Sequence, residues 1–85
     1  MKRPAYITIE EQTYHSDLHG IAPLIVEEFA NSNVEISLVE DHTYYFVFHL
    51  IYSEFEEVQE VASTITYILL SEEIYRFTLN INTND

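Results

Sequence analysis

Residues 43–52, TYYFVFHLIY, constrain the fold more than any other stretch of the chain. Eight of the ten are aromatic or β-branched, side chains that fit a pleated surface. Side chains alternate across a strand, so Phe46, Phe48 and Leu50 point one way and Tyr45, Val47, His49 and Ile51 the other. Both sets are apolar, the pattern of a strand deep in a sheet rather than at its margin. Such a strand needs neighbours on both edges and a helical layer on at least one face.

The flanking sequence supplies them. Residues 5–14, AYITIEEQTY, begin with Ala5, Ile7 and Ile9 alternating against Tyr6, Thr8 and Glu10, a half-buried strand. In SDLHGIAPLIVEEFANSN, Leu18, Ile21, Ile25 and Phe29 share one helical face. Pro23 is comfortable only in a first turn, so the regular helix is expected from near Gly20 to the NSN segment. NVEISLVE alternates again, with Val34, Ile36 and Leu38 inward. In SEFEEVQEVASTITYILLS, Ser53 and Glu56 have capping-box spacing, which starts a helix at Ser53. Phe55, Val58, Ala62, Ile65 and Leu69 form its stripe. IYRFTLNIN closes the chain with Tyr75, Phe77, Leu79 and Ile81 against Arg76, Thr78 and Asn80.

Strand, helix, strand, strand, helix, strand is the order of a ferredoxin-like βαββαβ fold. The expectation is an α+β, two-layer sandwich: a four-stranded antiparallel sheet with two helices on one face. Eighty-five residues make a single domain, 1–85, with one small core. With no Cys there are no disulfides or thiolate metal sites. The first twelve residues lack the apolar run of a signal peptide, and no apolar stretch is long enough to span a bilayer. A cytoplasmic protein is expected.

Charge is the anomaly. Fifteen Asp and Glu stand against three Lys and Arg, a formal net charge of −12. Residues 4–75 hold fourteen of those acids and no Lys or Arg. Small domains ordinarily carry net charges of about 2–8 in magnitude, and a larger excess works against the compact state. A surface of this kind repels nucleic acid and anionic membranes and attracts basic proteins.

The acids recur in adjacent pairs at element edges: Glu10–Glu11, Glu27–Glu28, Glu40–Asp41 and Glu72–Glu73. The second helix adds Glu54, Glu56, Glu57 and Glu60, with Glu56 and Glu60 one turn apart. A solvated acidic face explains one such helix. Five such groups without a basic neighbour point to a partner that supplies the cations. Proteins that grip DNA present Lys and Arg to a phosphate row, and carboxylates a few ångströms apart can stand in for that row.

In size, acidity, lack of Cys and compact α/β pattern, the chain resembles the small acidic phage-type DNA-mimic inhibitors. Those proteins block uracil-DNA glycosylase, restriction or CRISPR nucleases, RNA polymerase, or nucleoid proteins such as HU. The resemblance implies an inhibitor that covers the DNA-binding surface of a basic host protein in the host cytoplasm. It carries no shared motif, so the partner-binding residues are read from charge and spacing alone.

Three further features complete the reading. Tyr45, Val47, His49 and Ile51, beside Tyr6 and Thr8, make an uncovered apolar sheet face suited to homodimerisation. The alternative function is therefore a ferredoxin-like interaction or regulatory module that dimerises there. In HSDLH, His15, Asp17 and His19 could converge on a metal, but Ser16 or Asp17 serves naturally as a helix cap, and no metal or cofactor is expected. One Gly in the chain excludes glycine-rich phosphate loops, and no catalytic signature is present, so an enzyme is not expected.

Overall fold

The computed structural model describes residues 1–11, 18–42 and 44–83. The elements are β1 (Arg3–Glu11), α1 (Leu18–Glu28), β2 (Glu35–Asp41), β3 (Tyr45–Tyr52), α2 (Phe55–Ser71) and β4 (Phe77–Thr83). One antiparallel sheet runs β2-β3-β1-β4, the arrangement of the ferredoxin-like βαββαβ layout. The two-sided apolar strand β3 sits between β2 and β1, as its sequence requires.

Register sorts the sheet into two faces. Ile7 lies between Phe48 and Ile81, and Ile9 between Phe46 and Leu79. On that side Ala5, Ile7, Ile9, Phe46, Phe48 and Leu50 are fully buried. They join Ile21, Ala22 and Ile25 of α1 and Val58, Val61, Ile65 and Leu69 of α2 in one cluster, which fixes both helices on the same face. The two phenyl rings meet edge to face at 6.5 Å. On the other face Tyr6 pairs with His49 and Thr8 with Val47.

Several boundaries differ from expectation, each for a local reason. The expected first strand ran to Tyr14; β1 ends at Glu11, and Gln12–Tyr14 lie outside the described residues, as do His15 and Asp17. Helix α1 begins at Leu18 rather than near Gly20, so Pro23 falls in its second turn. The helix ends at Glu28 and tightens into short-range turns, with Phe29 N–H donating to the Val26 carbonyl at 3.2 Å.

The capping box of α2 is displaced by one residue. Glu54 is still extended (φ −117, ψ 136), so it becomes the N-cap and Phe55 the first helical residue. Glu57, not Glu56, then occupies the third position. Its Oε1 accepts hydrogen bonds from the Ser53 and Glu54 N–H groups, both at 2.8 Å. Val61, three residues after Val58 and four before Ile65, is buried on the same face, while Phe55, the first helical residue, is 46% exposed and packs its ring edge on Tyr52.

The other end of α2 closes as a Schellman motif. Ile74 N–H donates to the Leu69 carbonyl at 2.9 Å and Glu73 N–H to the Leu70 carbonyl at 3.0 Å. Ile74 is buried against the core, which delays the last strand until Phe77 and leaves Tyr75 68% exposed. Glu73 holds the left-handed position at φ 63, where glycine is usual.

Candidate acidic binding surface

The helix axis governs where the carboxylates of α2 stand. Val58, Val61, Ile65 and Leu69 face the core, so successive 100° steps turn Glu56 and Glu60 outward and leave Glu57 on the flank nearest α1. Glu60 and Glu57 form one wall of a shallow groove of about 290 Å³, opposite Phe29, Asn31 and Asn33 of the turn after α1. A second groove continues past Glu57 to Glu54, Glu35, Asn33 and Lys2. Glu35, distant in sequence, is thereby gathered with Glu54, Glu57 and Glu60 at one end of the molecule.

Glu57 has a structural duty within this group. The N–H groups of Glu54 and then Ser53 hold its carboxyl below the usual carboxylate range, with a smaller contribution from Lys2. Lys2 lies 3.8 Å from Glu35, with both side chains largely in water, so the pair neutralises little. Glu35 was not among the acids singled out by pairing in sequence. The only signal for it was its outward place in a strand.

The remaining acids do not share this surface. Glu27 and Glu28 occupy the last turn of α1 and border the groove between the helices, beside Leu24 and Ile68. Glu10, Glu40 and Asp41 lie at the opposite end of the sheet, where Glu10 pairs with Tyr45 and Asp41 with Phe46. Glu72 and Glu73 close α2 at that same end. The adjacent pair Glu10–Glu11 is split across the sheet. Glu11 points to the helix side, only 5% exposed, because strand alternation sends neighbouring side chains to opposite faces. It is no surface acid. Most of the exposed carboxylates thus gather at two ends of the molecule rather than along one continuous ridge.

The uncovered sheet face holds the expected residues. Tyr45, His49, Ile51, Tyr6 and Thr8 are half-buried there and Val47 is 8% exposed, because they cover one another. The Tyr6 and His49 rings lie 5.1 Å apart. His42 stacks on Tyr45 at 4.2 Å, and its Nε2 stands 3.1 Å from Glu40 Oε1. Exposed large apolar side chains also lie off the sheet, among them Leu24 on α1, Tyr67 and Leu70 on α2 and Tyr75 after it. Among the described residues no group of three or more His, Asp or Glu is placed to hold a metal. No described helix is long and apolar enough to cross a membrane.

No protein-family model matches the chain, and no curated protein matches its sequence. Among solved structures it is similar to a de novo designed protein, Foldit4. The match covers 100% of both chains with a TM-score of 0.60 and 14% sequence identity. At that identity the likeness concerns the fold alone.

Proposed function

We propose that this protein is an acidic inhibitor that covers the DNA-binding surface of a basic protein, presenting the start of α2 in place of a phosphate row. Charge density carries this reading. From the N-cap Glu54 through Glu56 and Glu57 to Glu60 is six residue steps, ~9 Å at the helical rise, an average of about one carboxylate per 3 Å. Duplex DNA carries about one negative charge per 1.7 Å. Glu35 stands beside the row, and Glu27 and Glu28 lie apart from it in the last turn of α1. Among the described residues the cations bordering this end are Lys2 and Arg3.

The test is competition. A fluorescent duplex bound to a basic DNA-binding protein is titrated with this protein, using a nucleoid protein, an RNA polymerase and a uracil-DNA glycosylase in turn as receptors. Release of the duplex from one receptor at micromolar inhibitor is expected. Glu56 and Glu60 are the informative positions, because they face solvent and do not serve the cap. E56K/E60K should weaken release at least about ten-fold, a loss of ~1.4 kcal/mol, and flatten its salt dependence. Release by the double variant equal to that of the natural chain would remove these residues from the interface.

The second reading is an interaction or regulatory module that works through its sheet face, with a second copy as partner. The contiguity of Tyr45, Val47, His49 and Ile51 with Tyr6 and Thr8 favours it. Charge at the centre of the face, as in H49K, would abolish that activity and leave duplex release intact.

A further inference from the structure

The two edges of the sheet are built differently. Edge strand β2 carries Glu35, Glu40 and Asp41 and is bulged between Leu38 and Glu40, the usual guards against pairing with another chain. Edge strand β4, FTLNINT, has no charge and no proline, and its register with β1 runs unbroken over seven pairs from Ala5↔Thr83 to Glu11↔Phe77. In a chain of net charge −12 this is the long edge free of carboxylates. An unguarded edge of this length is a template for strand addition.

We propose that a second copy of the chain adds to β4, antiparallel, with Asn80 of one copy opposite Asn80 of the other. The sequence is self-complementary in that register. Leu79 meets Ile81 on the helix side, and Thr78 meets Asn82 on the open side. Like faces stay together, because antiparallel pairing centred on a residue keeps both helix layers on one side. Ile81, 38% exposed at the margin of the core, is then covered. Two-fold pairing consumes both β4 edges and leaves the guarded β2 edges outermost, so growth stops at an eight-stranded sheet. The two copies meet through the uncharged strand, but their acidic ends are brought alongside one another. Association should therefore tighten as salt rises.

Sedimentation equilibrium of the full chain tests this at ~200 µM in ~0.5 M NaCl, where the screening length is ~4 Å. A dimer is expected, and in the dimer half of the β4 amides gain protection from hydrogen exchange. A charge of either sign at the two-fold axis faces its own copy. N80K and N80E should therefore both weaken dimerisation by about ten-fold or more, while H49K on the sheet face leaves it unchanged. Far-ultraviolet circular dichroism verifies that each variant is folded. Three results overturn the proposal: a monomer under these conditions, a dimer indifferent to N80K and N80E, or a dimer lost in H49K with N80K intact. The last would place the interface on the sheet face. Duplex release is scored separately, so neither outcome decides the other.

Discussion

Glu73 illustrates how much of this chain's energetics sits in single residues. It occupies the left-handed position of the Schellman motif at φ 63, and it places a carboxylate beyond the negative pole of α2. A non-glycine residue in that region is strained by about 1–2 kcal/mol, and an anion at a helix C-terminus adds a few tenths more. Glycine relieves both but enlarges the freedom of the unfolded chain. Glu73→Gly is expected to raise stability by about 1 kcal/mol, seen as a rise of about 4–8 °C in Tm. An unchanged or lower Tm would mean that the Glu73 side chain is held by contacts worth more than its strain. The residue was legible in sequence as an acid but not as a C′ position, because helix ends depend on where the next apolar residue finds the core, here Ile74.

At the scale of elements, α2 shows what pattern can and cannot resolve. Its existence and apolar stripe follow from periodicity, and the two-sided strand β3 announced its central place. Its first residue did not follow. Ser53–Glu56 and Glu54–Glu57 have the same spacing, and the choice between them was made by how far the extended backbone of β3 continues. Val61 is missing from the expected core for another reason: a stripe stepping from Val58 to Ala62 passes over the i+3 neighbour on the same face, which is also buried. The displaced cap gave Glu57 a double role that charge counting could not separate. Glu57 is ionised below its usual pKa in the fold, so its contribution is complete above about pH 4.5 and is lost as pH falls through the lower folded value. Glu57→Gln removes that titration. The stability difference between the natural chain and E57Q should hold constant from neutral pH down to about 4.5 and shrink below it, as read from urea midpoints. A difference as large at pH 3 as at pH 7 would show that the carboxylate charge is not what the two N–H groups favour.

Over the whole molecule, charge and topology are only loosely connected in the sequence. The chain alternates direction between its two ends with every element, so acids placed at element edges are distributed to both. Adjacent pairs therefore mark ends and do not mark a ridge. The gathering of Glu35 with Glu54, Glu57 and Glu60 needed the crossover from α1 to β2, which no local pattern encodes. What the sequence did make legible is the lack of neutralising cations. The exposed Lys2–Glu35 and His42–Glu40 pairs do not offset a net −12.

Uncompensated repulsion among carboxylates is the physical ground for expecting a cationic partner, and thermal stability measures it without one. At low protein concentration and neutral pH, Tm should increase as NaCl goes from ~0.01 M to ~0.15 M, where the screening length falls from about 30 Å to about 8 Å. The increase should be smaller in E56K/E60K, which has two fewer acids and two more bases. A Tm that stays constant or falls across that range would contradict the claim that these charges stand close together and unanswered.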